Sequence, residues 1–243
     1  MINNFCLLSL RHTSACKLLM ALLFIMLVFF VPAKGQKIKD SSATPFKKNI
    51  VGFLIGTNIS TIRDWNPSPS YNTANMLGPS FKFAFIYQRN ILPQLSIRSG
   101  LGYVRKGATY QYFTGYNDQV VDVKVVLNYV EAPVLVVLQS TNERDYVLKP
   151  YLCVGMAYAL AMGSSMGKGD IVINNPVVFN KDINNDIYNR IENSIMVGTG
   201  LKFRGEHSDF FIEIMYSCGT TDVFRYTSRN SVVSLQAGFL FGK

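Results

Sequence analysis

Apolar and polar residues alternate with a period of two along much of the chain. The clearest stretch is PSFKFAFIYQRN, residues 79–90, in which Phe81, Phe83, Phe85 and Tyr87 fall on one face of an extended chain. This is the period of a β-strand, since successive side chains point to opposite faces of a sheet. Such an aromatic face must be covered either by a protein core or by lipid.

The same alternation predicts eight strands, and their number and length favour a transmembrane barrel. They cover residues 48–60, 79–90, 94–113, 119–139, 146–162, 193–204, 208–218 and 230–242. Outer-membrane barrels have an even number of strands, and about 9–11 tilted residues cross the bilayer. Long connections alternate with short ones, which is typical of external loops and periplasmic turns. We therefore expect residues 61–78, 163–192 and 219–229 to lie outside the cell.

The two faces of the predicted strands differ in a way that indicates which one meets lipid. In the fifth strand, Leu152, Val154 and Met156 share one face, and the opposite face is mostly small. Eight strands leave a narrow lumen, so small residues fit inside and bulky ones suit acyl chains. The pattern predicts an all-β, eight-stranded antiparallel up-and-down transmembrane β-barrel. The alternative is a soluble periplasmic β-barrel that binds an apolar ligand.

The N-terminus has the layout of a secretory signal peptide. Arg11 and Lys17 precede an apolar run from Leu18 to Val31, and small residues follow before Gln36. That run is about 14 residues, short of the about 20 that a spanning helix needs. We expect a cleaved signal over residues 1–35, a short periplasmic segment over 36–47 and the barrel over 48–243.

Composition agrees with export to a membrane and argues against nucleic-acid binding. Only 16% of residues are charged, whereas about 25% is usual in soluble domains. Removing residues 1–35 takes three basic residues and no acid from a formal charge of +9, which leaves +6. The remaining Lys and Arg are scattered and form no basic helix, so we expect no nucleic-acid partner.

Two segments resemble the PorT-like family of outer-membrane β-barrels. They are YVEAPVL in the fourth predicted strand and KPYLCVG in the fifth. The matching positions are Tyr129, Glu131, Pro133, Leu135, Pro150, Tyr151 and Gly155. The resemblance implies an eight-stranded barrel in the bacterial outer membrane. A founding member is linked to protein secretion, so the resemblance also implies an accessory to secretion or envelope assembly, without fixing one activity.

Charged residues on the small face are the first candidates for a site. They are Lys82, Arg98, Glu131, Lys202, Arg204 and Glu213. Inside a narrow barrel they form either a salt-bridged plug or the lining of a selective pore. We favour the plug, because eight strands enclose about enough room for side chains alone.

The remaining motifs give no support for catalysis or cofactors. GSSMGKGD at 163–170 fails the phosphate-loop spacing, and DINNDIYNRIEN at 182–193 lacks the glycine and glutamate of a calcium loop. His207, in a predicted periplasmic turn, has only its neighbours Ser208 and Asp209 for a triad. We expect no enzyme, no catalytic residue, no metal and no cofactor. The expected partners of this monomeric barrel are outer-membrane lipid and another envelope or secretion protein, bound through the external loops.

Overall fold

The protein forms a closed barrel of eight antiparallel strands. The computed structural model describes residues 49–63, 71–113, 120–140, 148–168, 190–205, 208–223 and 228–242. The strands are β1 Asn49–Arg63, β2 Tyr71–Asn90, β3 Leu95–Phe113, β4 Val120–Gln139, β5 Leu148–Lys168, β6 Ile191–Phe203, β7 Ser208–Gly219 and β8 Arg229–Gly242. Each strand pairs with the next, and β8 pairs with β1. Closure leaves no free sheet edge, as the membrane interior requires, and the predicted architecture is confirmed.

Several strands are longer than the alternation predicted. β2 begins at Tyr71 instead of residue 79, and β5 continues to Lys168 instead of residue 162. The segments between strands are therefore 64–70, 169–190 and 220–228, because strands extend into the connections predicted over 61–78, 163–192 and 219–229. The added residues continue these strands past the positions where apolar and polar residues alternate, so the period of two did not indicate them.

Other predicted segments fall outside the described part of the chain. These are the signal over residues 1–35, the periplasmic segment over 36–47, His207 and most of the calcium-like segment. Among the described residues, no helix is long and apolar enough to cross a membrane.

The bulky face of β2 points outward. Phe81 and Phe85 are 56% and 63% exposed, whereas Lys82, Ala84 and Ile86 between and beside them are buried. The exposed large apolar side chains continue on every strand and form a belt around the barrel. A soluble barrel would place this face inside, so the soluble alternative is not favoured.

The interior differs from the expected lining of small and charged residues, because bulky apolar side chains also fill it. Ile50, Leu54, Phe211, Met215 and Leu240 are all buried in one cluster. Glycines on the flanking strands make room for the two largest buried side chains of β7, Phe211 and Met215. A Cβ at Gly238 would lie 2.7 Å from the Phe211 ring, and one at Gly198 would lie 2.8 Å from the Met215 sulfur.

The wall has an irregularity in β2 that side chains of β1 seal. Pairing of β2 with β3 shifts between Met76 and Lys82, around Pro79, which has no N–H to donate. Ser60 bridges the gap by bonding both the N and the O of Gly107, at 2.8 and 2.9 Å. Gly107 has a φ of 149°, which only glycine adopts readily.

Candidate functional site

Two networks of charged side chains lie inside the barrel. The outer network, nearer to the long connections, consists of Lys82, Lys106, Glu131 and Glu192. Lys106 Nζ lies 3.0 Å from a carboxylate oxygen of Glu131 and 3.0 Å from one of Glu192. Lys82 Nζ lies 3.3 Å from Glu131, and Asn230 donates to Glu192 at 2.6 Å. The outer network is therefore a chain of alternating positive and negative charges. It spans the interior of the barrel, which we call the bore.

The inner network, nearer to the short connections, is centred on Glu213. Arg98 Nη1 donates to Glu213 at 2.7 Å and the Tyr151 hydroxyl donates to the same oxygen at 2.5 Å. The Gln236 amide donates to the other carboxylate oxygen, and Arg98 Nε donates to Gln88 at 3.1 Å. Glu213 thus accepts three hydrogen bonds, one of them from a buried cation. Such pairing is what makes a buried carboxylate tolerable.

The space between the two networks is small. A cavity of about 20 Å³ is lined by Lys82, Arg98, Glu131 and Glu213, among others. This is room for about one water molecule. The described side chains therefore pack closely between the two networks.

The structure brings together four of the six predicted lumen charges. Lys82 and Glu131 lie in the outer network, and Arg98 and Glu213 lie in the inner one. Lys202 is buried near the end of the barrel that carries the short connections, where its Nζ donates to Gln139 at 2.6 Å.

Arg204 is not part of the interior, so its predicted place in the lumen is wrong. It follows the last residue of β6, Phe203, and is exposed. The alternation assigned Arg204 to the same face as Lys202, but that face ceases to be interior where the strand ends.

Two central members of the outer network, Lys106 and Glu192, were missed by the sequence reasoning. Lys106 shares the parity of Arg98 on the same strand, so extending that face by eight residues would have found it. Glu192 lies one residue before the predicted start of the sixth strand, whereas β6 begins at Ile191. In both strands, the alternation of inward and outward residues that was already identified would have indicated the residue if it had been continued.

Most of the residues that carry the family resemblance face the same interior, whereas Pro150 has the outward parity. On β4, Tyr129, Glu131 and Leu135 are buried, and Pro133 lines the cavity. The ring centroid of Tyr129 lies 5.1 Å from Lys106 Nζ, a cation–π contact with the outer network.

On β5, Tyr151 binds Glu213, and Pro150 lies one residue before it near the strand start. Gly155 lies close to β4, since a Cβ there would stand 2.8 Å from Leu135 Cα. The two motifs therefore build the packed bore of the barrel.

The described side chains offer little for catalysis or metal binding. In the described ranges, no three His, Cys, Asp or Glu side chains are placed to hold a metal ion. Glu131, Glu192 and Glu213 are each engaged with a cation. The absence of enzymatic activity, metal and cofactor stays a prediction.

Comparison with known families agrees with this geometry. Residues 39–225 match the family model of the outer membrane protein beta-barrel domain. The chain belongs to this family. It is therefore an outer-membrane β-barrel protein, as the closed barrel and the exposed apolar belt also indicate. No curated protein matches the chain.

Several solved outer-membrane barrels resemble the fold at low sequence identity. The attachment invasion locus protein Ail of Yersinia pestis is 13% identical, with a TM-score of 0.39, and the match covers 81% of this chain and 100% of Ail. OprG of Pseudomonas aeruginosa is 10% identical, with a TM-score of 0.46 and coverage of 81% and 98%. The N-terminal barrel of OprF from the same organism is 11% identical, with a TM-score of 0.40 and coverage of 80% and 98%.

Proposed function

We propose that the protein acts as a closed scaffold in the outer membrane that presents its external connections to a partner, rather than as a pore or an enzyme. The observation that carries this proposal is the filled bore. Lys106, Tyr129 and Phe211 are each no more than 1% exposed and lie inside the barrel. A bore closed by ion pairs and apolar packing leaves little room for a solute to pass. The residues that bind a partner therefore lie in the connections outside the membrane.

The partner in this proposal is another envelope protein, and the role is an accessory one in protein secretion or envelope assembly. The support is the PorT-like resemblance of residues 129–135 and 150–155. These residues build the bore, so they support a shared barrel architecture more directly than a shared partner. Residues 64–70, 169–190 and 220–228 are the external connections through which contact would occur.

Crosslinking in living cells tests the scaffold role. A photoactivatable residue replaces Thr220, which is exposed at the external end of β7, and Leu92 in a periplasmic turn serves as the matched control. The proposal expects a discrete crosslinked envelope protein from position 220 that differs from any product at position 92. Identical products at both positions, or none at 220, would count against an external partner.

Conductance measurements test whether the bore is closed. The purified barrel, inserted into a planar lipid bilayer, should show no stable ion conductance. A steady conductance that changes when Lys106 is replaced by Met would contradict the scaffold role and show that the protein is a pore.

The absence of enzymatic activity is part of the same proposal. Replacing His207 with Ala should leave the composition of the envelope lipids unchanged, as measured by mass spectrometry. An altered lipid profile in that variant would point to a lipid-modifying enzyme instead.

A further inference from the structure

Two arginines stand directly opposite each other on the outer surface of the barrel. Arg63 ends β1 and Arg229 begins β8, and the two are register partners. Their neighbours Ile62 and Asn230 are fully buried in the interior, so by alternation Arg63 and Arg229 point outward. Like charges directly opposite on one face of a sheet are destabilising unless an anion lies between them.

The described surroundings compensate this arginine pair only in part. Arg229 Nε lies 3.3 Å from Asp222, in an exposed ion pair. Arg63 Nη2 donates to the Cys218 sulfur at 2.8 Å, and sulfur is a weak acceptor. Arg63 Nε is buried and has no hydrogen-bond partner among the described residues. Among the described residues, Arg229 thus has an ion pair with a carboxylate, whereas Arg63 has only a sulfur acceptor and keeps an unused donor.

The height of the arginine pair matches the polar layer of the outer leaflet. The last apolar pair below it is Ile59 with Val233, followed by Thr61 with Ser231 and then the arginines. Four residues of a tilted strand rise roughly 10 Å above that last apolar pair. Arginine side chains extend toward the headgroup layer from such positions. The acyl chains that cover Ile59 and Val233 would therefore bring their own headgroups to the arginine pair.

We propose that Arg63 and Arg229 form a binding site for the phosphate of an outer-leaflet glycolipid. A guanidinium matches two phosphate oxygens with two parallel N–H donors, and a phosphate between the two arginines would relieve their repulsion. Lipid is favoured over free phosphate because the site lies directly above the apolar belt. The two arginines lie on β1 and β8 at the border of the external connections, and the proposed site does not depend on the scaffold role.

Lipid retention by the intact barrel in nanodiscs tests the site. The barrel is reconstituted in phosphatidylcholine nanodiscs that contain either diphosphoryl lipid A or its dephosphorylated form, and native mass spectrometry counts the lipid A retained. The wild type should retain the phosphorylated form about tenfold better, a typical effect of charge-assisted hydrogen bonds. The double variant Arg63→Gln/Arg229→Gln should lose this preference.

Arg105→Gln is the matched control. Arg105 is exposed, points outward on β3 and stands opposite Asn128 instead of an arginine. This variant should keep the preference of the wild type. All variants should show the same shift in gel mobility on heating, which reports the folded barrel. If the double variant does not fold, the single variants Arg63→Gln and Arg229→Gln should each lose about threefold.

Three results would overturn the site. Equal retention of both lipids by the wild type would show that phosphate is not recognised. A loss in Arg105→Gln as large as in the double variant would show a diffuse surface charge. Release of the lipid by excess inorganic phosphate would show a general anion site instead of a lipid site.

Discussion

Adjacent residues of β2 meet opposite surroundings. Phe85 is exposed on the outer face, while Ala84 and Ile86 on either side of it are buried in the bore. The outer face carries Phe, Val, Leu and Ile without specific polar partners. The inner face combines apolar side chains with charges held in ion pairs, such as Arg98 with Glu213.

This difference predicts two kinds of sensitivity to substitution. Contact with lipid requires only that a side chain be apolar, so the outer face should tolerate exchange of one apolar residue for another. A charged side chain in the bore needs a partner of opposite charge, because an unpaired buried charge lowers the free energy of unfolding. The predictions below test this contrast, from the largest expected effect to the smallest.

Replacing Glu213 with Ala should have the largest effect. Arg98 would lose its partner in the bore, while Tyr151 and Gln236 would lose their acceptor. The free energy of unfolding should fall by about 3–5 kcal/mol, the range for breaking a buried ion pair. Urea unfolding of the barrel in lipid vesicles measures it. A loss below about 1 kcal/mol would show that the inner network is hydrated.

Replacing Phe85 with Arg should destabilise the outer face. Phe85 lies in the lipid-facing belt, and Arg on a lipid face costs about 2–4 kcal/mol near the bilayer midplane. Phe85→Leu is the control and should have a much smaller effect in the same unfolding experiment. If the two variants behave alike, lipid does not cover this face.

Replacing Lys106 with Met should cost about 1–3 kcal/mol, because Glu131 keeps Lys82 and Glu192 keeps Asn230. Adding Glu192→Gln should recover part of the loss, since it removes the carboxylate left without a cation. A double-mutant cycle by urea unfolding measures this coupling. Purely additive losses would contradict the outer network.

Replacing Asp222 with Asn should have the smallest effect. Its ion pair with Arg229 is exposed, and such pairs contribute less than about 1 kcal/mol. The unfolding midpoint should stay close to that of the wild type. A loss as large as that of Glu213→Ala would remove the contrast between exposed and buried pairs.

The alternation of apolar and polar residues made the barrel predictable. Where this alternation ends, the ends of the strands could not be predicted. Phe81, Phe83 and Phe85 indicate a strand because they contact lipid on one face, while the residues between them point into the bore on the other. The extensions of β2 to Tyr71 and of β5 to Lys168 carry no such alternation in their sequence, so the pattern did not indicate them.

The partners of the interior charges could not be read from the same pattern. Parity assigns Glu131 and Lys82 to one face, but the pairing of Lys106 with Glu192 depends on the register of strands far apart in the chain. Local sequence carries no information about which strands meet across a bore. The bulky interior residue Phe211 was also hidden, because its fit depends on Gly238 of the next strand.

A spin-label scan of β2 tests the central claim most directly. Single labels at positions 83 to 87, with the barrel in lipid vesicles, are exposed to oxygen, which partitions into lipid, and to a water-soluble nickel complex. Positions 83, 85 and 87 should show high collision rates with oxygen, and positions 84 and 86 should show low rates with both reagents. High oxygen accessibility at 84 and 86 instead would place the bulky face in the bore and contradict the account.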